Sequence, residues 1–310
     1  MVGVPAKRAA RGVAGLVARV LHGRCSHHRV GPGVEQCWDR LVPVYEAERP
    51  CPTGFSSAAR IRSGAAYEAP PVRESLVMDQ RYNDELRTLR ADELAPYLTA
   101  RSGLPGPRAN LTLADAFAAI ADRATILLFA AADDEYLRFC GTEAVGRLIA
   151  EGPDDASFSE LIRQRAGDDL WRVREGAARA LQIVGDFDRS RLRTIVAEWI
   201  GDPNPYVRRA AVAAICEPRL LTDPSTRRAA VQACRTASES ITTLPATQRN
   251  APDVRNLRQA LGYCWSVAIA ANSDEGMPAF ERLQSVDDPD IRWIVSSNLK
   301  KSRLRRHLKQ

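Results

Sequence analysis

Apolar residues recur at helical spacing through most of the chain after Met78, and the stripes come in pairs divided by short polar turns. Between Ser190 and Ile200, Leu192, Ile195, Val196 and Trp199 fall on one face of a helix. Val207, Ala210, Ala211, Ala214 and Ile215 repeat the pattern a few residues later. Asn204 can accept a hydrogen bond from a free N–H at that second start. Pro205 suits the first helical position, where its missing N–H costs nothing. Pro218 stops the run. So short a link predicts antiparallel packing, and the alanine-rich face lets a neighbouring helix approach closely.

The same phrase returns along the chain. DDLWRVREGAARAL surrounds Val173, DPNPYVRRAAVAAI surrounds Val207, APDVRNLRQAL surrounds Val254 and DDPDIRWIVSSNL surrounds Ile291. These Val/Ile-Arg pairs are offset by 34, 47 and 37 residues. A period of this size carried by helices predicts a stacked α-solenoid in which all four aliphatic residues are buried.

Elsewhere the pattern predicts helices over Asn83–Leu89, Ala91–Ala100, Leu113–Ala132 and Glu135–Ala150, the last interrupted by Gly141. Ser102–Leu111 holds two Pro and two Gly, which predicts a loop packed across the first helices as a cap. Ser157 and Glu160 have capping-box spacing for a helix whose partner is Trp171–Val184. Two further hairpins follow, Pro224–Ile241 with Pro252–Ala271, and Gly276–Ser285 with Pro289–Arg303. TTLPATQRNA, the longest loop of the repeat region, joins the first of these pairs. Insertions of that kind commonly lie on one face of a solenoid and can be functional.

Asp/Pro at the turn, Val-Arg opening the second helix and small apolar residues behind it resemble the HEAT repeat family. The resemblance implies an all-α, right-handed α-α superhelix of about five to six helical hairpins. It also implies a ladder in which Arg174, Arg208, Arg255 and Arg292 tie to Asp168, Asp202 and Asp287 in neighbouring turns. The third unit departs from the pattern, since its Asp253 is displaced. On this reading residues 78–156 are N-terminal capping hairpins, 157–306 are HEAT-like repeats and 307–310 are a basic tail.

The net charge of +6 resides at the two ends. Residues 1–77 hold 11 basic and 6 acidic side chains, and residues 300–310 hold six basic and none acidic, which leaves residues 78–299 at −5. Such a distribution is weak support for a nucleic-acid groove. Residues 1–77 are rich in Arg, Gly, Ala and Pro and break the helical pattern repeatedly. They are expected to be a poorly structured extension or an over-extended gene start, with Met78 as the natural one. His22, Cys25, His27, His28, Cys37 and Cys51 are metal-ligand types within it, but no second closely spaced pair closes a zinc site. Cys140, Cys216, Cys234 and Cys264 fall on or beside apolar faces as small hydrophobes. With no secretory signal visible, this places the chain in a reducing cytoplasm. No apolar run approaches the roughly 18 residues needed to span a membrane.

Catalytic chemistry is sparse. After Met78 the one histidine is His307, which removes most Ser/Cys–His schemes, and no Walker A motif occurs. Binding candidates fall on the second helices: Trp171, Arg172, Arg179, Arg209, Arg258 and Trp293. These are residue types common at interface hot spots, and an anion-binding arginine stripe is the alternative use of the arginines. A second stretch, WIGDPNPYVRRAA with PRLL behind it, resembles a segment of the bacterial alkylpurine DNA glycosylases built from HEAT-like repeats. That resemblance implies an acidic residue and tryptophans facing a groove, for which Glu198, Trp199 and Asp202 are the nearest candidates; the group's catalytic helix has no full match. The expected function is a non-catalytic scaffold that binds a protein partner on the concave face of its second helices, with no cofactor or metal. The alternatives are a DNA-binding or alkylation-repair protein, and an accessory subunit of a cofactor-modifying enzyme.

Overall fold

The structure, a computed structural model, describes residues 73–106, 108–152 and 156–307, with side chains from Gln80 to Arg306. The His/Cys set from His22 to Cys51 and most of the expected N-terminal extension lie outside these residues. The described residues form fourteen α-helices and no strand. The first is α1 (Arg73–Thr88), which begins upstream of Met78 and is followed by α2 (Ala91–Ala100), α3 (Leu111–Ile120) and α4 (Arg123–Ala130). Next come α5 (Glu135–Glu151), α6 (Ala156–Ala166), α7 (Trp171–Phe187), α8 (Arg189–Trp199) and α9 (Pro205–Ile215). The chain continues through α10 (Pro224–Thr242), α11 (Pro252–Ala271), α12 (Ser273–Gln284), α13 (Pro289–Leu299) and α14 (Ser302–His307).

Local chemistry sets many of these boundaries. The side chains of Asn204, Asp223 and Asp288 accept the N–H groups of Tyr206 (2.9 Å), Thr226 (3.0 Å) and Asp290 (2.9 Å). Pro205, Pro224 and Pro289 follow at the first helical position. Asn110 serves α3 in the same way, accepting from Leu113 at 3.1 Å. It also ties the preceding loop to the first helices, since its amide donates to the Tyr82 hydroxyl at 3.1 Å.

From α4 onward the helices form five consecutive hairpins, α4/α5, α6/α7, α8/α9, α10/α11 and α12/α13. The second helices stack in one row, α5 on α7, α7 on α9, α9 on α11 and α11 on α13, with α3 packed against α5. The first helices α8, α10 and α12 pack in sequence beside them. Each hairpin thus buries its apolar faces against its neighbours along the chain, which makes this a helical-repeat solenoid. Val173, Val207, Val254 and Ile291 are 0%, 2%, 4% and 0% exposed.

Four local expectations are corrected. Leu113–Ala132 is two helices rather than one, because Asp122 caps a new start by accepting from Thr125 N–H at 3.0 Å. Arg147 takes the carbonyls freed at the break, donating to Ala118 at 2.7 Å and to Ala121. Gly141 does not interrupt α5. A Cβ added there would lie 2.1 Å from the Ala130 nitrogen, and one at Gly146 would lie 2.2 Å from the Ala180 oxygen. The two glycines let α5 touch the backbone of α4 on one side and of α7 on the other. Ser157 lies inside α6 rather than before it. The last predicted helix divides at Lys300 into α13 and α14, and α14 folds back onto α11 and α13. No helix among the described residues is long and apolar enough to cross a membrane.

Candidate functional site

Toward the starts of the second helices, several arginines stack on aromatic side chains. At the start of α7, the Arg172 guanidinium lies 3.6 Å from the centre of the Trp171 ring and pairs with Glu175 at 2.8 Å. Arg174, on the same turn, lies 4.5 Å from the Tyr206 ring of α9. On α11, Arg258 lies 5.4 Å from the Trp293 ring of α13 and pairs with Asp290. Two of these three stacks join adjacent second helices, and each has the geometry of a cation–π contact. Trp293 is 41% exposed, while Trp171 and Tyr206 are half-buried. The Trp293 indole reaches across α11 at Gly262, where a Cβ would lie 2.8 Å from the ring.

Not every candidate stands in the open. Arg172 and Arg209 are only 2% and 6% exposed, so they are not surface contacts as expected. Arg209 donates to the Arg174 carbonyl at 3.3 Å, and burial pushes its guanidinium pKa down. Arg179 sits between Asp115 of α3 at 2.5 Å and Glu143 of α5 at 2.9 Å. Glu143 is 1% exposed, and neither of its oxygens receives an aligned hydrogen bond. Burial pushes its carboxyl up to about 8, with Arg179 only partly offsetting the cost of desolvation. Sequence reading missed Glu143; the available signal was an acid inside an otherwise apolar and small-residue helical face.

Asp287 pairs with Arg292, but Asp168 and Asp202 are met by arginines other than the four named for the ladder. Arg174 donates to its own turn, to the carbonyls of Asp168 (2.5 Å) and Asp169 (2.9 Å), and Arg208 donates to that of Pro203 (3.3 Å). Arg292 pairs with Asp287 within one exposed turn, and Arg255 is half-buried on α11. The turn acids are met instead by other arginines, most of them from the preceding hairpin, with Arg165 alone coming from the same hairpin as its acid. Arg138 and Arg165 reach Asp168, both at 3.4 Å, and Arg163 reaches Asp202 at 2.7 Å. Arg193 lies 3.6 Å from Asp223, and Arg249 pairs with Asp288. The reason is geometric. An arginine on the first turn of a second helix overhangs its own turn's carbonyls, whereas the preceding hairpin projects toward the carboxylates. Arg249 also closes the long loop by donating to the Thr242 (2.7 Å) and Leu244 (2.9 Å) carbonyls.

The glycosylase-type trio is not brought together. Trp199 is 2% exposed within the core and Asp202 is held by Arg163, while Glu198 is exposed. Buried so deeply, the Trp199 indole faces no groove. Among the described residues no group of three or more His, Cys, Asp or Glu could hold a metal ion.

No family model matches the chain, and no curated protein matches it. Among solved structures it is similar to an engineered protein from a structural genomics consortium, at 18% identity over 74% of this chain and 96% of that one, with a TM-score of 0.32. It is also similar to a designed armadillo repeat protein in complex with a (KR)4 peptide, at 14% identity over 72% of this chain and 98% of that one, with a TM-score of 0.34. At such identities and scores the fold assignment rests on this chain's own helix packing.

Proposed function

We propose that the chain is a non-catalytic helical-repeat scaffold, working in the cytoplasm, that binds a protein partner along the opening turns of its second helices. The observation that carries this reading is the set of three arginine–aromatic stacks, at Trp171/Arg172, Arg174/Tyr206 and Arg258/Trp293, on the second helices α7, α9, α11 and α13. Rigid aromatic faces held by arginines offer large contact area at small entropic cost, the combination found in binding hot spots.

The test is quantitative affinity capture with the full chain and with a Trp171→Ala/Trp293→Ala double variant. Loss of specific proteins with the variant supports the reading, and identical captured sets overturn it. An enzyme among the lost proteins would specify an accessory-subunit role. The DNA-repair alternative is carried by no observation here, since Trp199 is in the core and Asp202 is engaged. Binding to an alkylated duplex in preference to an unmodified one, falling steeply with salt, would reinstate it.

A further inference from the structure

We propose that the open face of the last described hairpin receives an acidic amphipathic helix from a partner protein. In a stack each hairpin is covered by the next: α8/α9 by α10/α11, and α10/α11 by α12/α13. After α12/α13 the one remaining described helix, α14, packs on α11 and α13. It leaves open a groove of about 450 Å³ between the end of α12 and the outer side of α13. Leu283, Val286, Ile291, Val295 and Leu299 line it. Val286 is 38% exposed, one of four large hydrophobic side chains that stand clear of the core among the described residues.

Two features select the occupant. The groove runs along a helix at the position where the repeat would place its next helix, so a helix with apolar residues at three- and four-residue spacing fits it. The charged residues that line the groove are both basic, although Arg292 also pairs with the exposed Asp287 at its edge. From Ile291 to His307 the chain carries Arg292, Lys300, Lys301, Arg303, Arg305 and Arg306 and no acid, while residues 78–299 are net acidic. Arg292 and Lys300 lie on the groove itself. A helix with glutamates flanking its apolar stripe therefore gains both burial and charge complementarity. This surface is separate from the arginine–aromatic edge, and neither proposal depends on the other.

Fluorescence anisotropy of the full chain against a labelled helical peptide of about 18 residues, with leucines on one face and glutamates on the other, tests the idea. We expect saturable binding, weakened at least about tenfold by Val295→Glu, by the exposed Ser296→Glu, and by exchanging the peptide's glutamates for lysines. Ser296→Glu adds repulsion without touching the core, so it separates lost binding from lost folding. Equal binding of the acidic and basic peptides overturns the proposal. So does self-association of the wild-type chain that Val295→Glu abolishes, since the occupant is then a second copy. Sedimentation with phosphatidylglycerol vesicles that Val295→Glu abolishes, without peptide binding, overturns it in favour of a lipid surface.

Discussion

The Nε of Arg163, on α6, donates to Oδ2 of Asp202, in the turn before α9, at 2.7 Å across one repeat. The Asp202 side chain is 7% exposed, and its other oxygen accepts the Asn204 N–H at 2.8 Å. One carboxylate thus shapes a turn and links it to the hairpin before. Asp202→Ala is expected to cost about 2–3 kcal/mol, since it removes two charge-assisted bonds. Asp202→Asn, which keeps the turn bond, is expected to cost roughly 1–2 kcal/mol. Urea unfolding of both variants checks the order; equal losses would mean that the turn bond to the Asn204 N–H contributes nothing.

Glu143 makes stability fall as pH rises. Its folded pKa of about 8 exceeds the unfolded value of 4.5, so between those values the native state holds a proton that the unfolded chain has lost. The stabilisation is complete below pH 4.5 and is lost as pH rises through about 8. No histidine lies between Gln80 and Arg306; burial pushes the Cys140 thiol up, and hydrogen bonds to Cys234 and Cys216, together with burial, push Cys216 and Cys264 up, so no other group among the described residues is shifted into that window. Thermal unfolding followed from pH 5 to pH 8.5 should show a declining Tm for the native chain and a flatter profile for Glu143→Gln. A native profile as flat as the variant's would refute the assignment.

Gly146 marks the tightest approach of α5 to α7. Gly146→Ala forces a methyl group to within 2.2 Å of the Ala180 oxygen, so the helices must separate. A loss of about 2–3 kcal/mol is expected, in the range of core overpacking. Gly201→Ala is the control, since its Cβ would meet nothing closer than the Glu198 oxygen at 3.6 Å. Guanidinium melts of the two variants should differ clearly in midpoint.

Asn298 joins the last two second helices from a fully buried position. Its amide donates to the Leu261 (2.9 Å) and Ile294 (2.8 Å) carbonyls, and its oxygen accepts the Ser266 N–H at 2.9 Å. Asn298→Ala leaves a cavity and removes all three bonds, at an expected cost of about 2–4 kcal/mol. Hydrogen exchange should show the loosening concentrated in α13 and α14. Uniform loosening along the stack would instead mean that the repeats unfold as one unit.

The sequence alone determined the helices, most of their ends and their hairpin order. Apolar spacing, Asn/Asp caps and first-turn prolines act over a few residues, and the four Val/Ile positions follow from the 3.6-residue period. The division at Asp122 escaped because both sides carry the same apolar stripe, so only the cap and the reach of Arg147 reveal it. What the tertiary structure decided was which residues meet across repeats. Arg163 and Asp202 are 39 positions apart, and Arg138 and Asp168 are 30. Whether such pairs form depends on the rotation of each hairpin against the next. That rotation is set by close contacts such as Gly146 on Ala180, which no local pattern encodes. The same packing placed Trp199 in the core, buried Glu143 and left the face of α12 and α13 open.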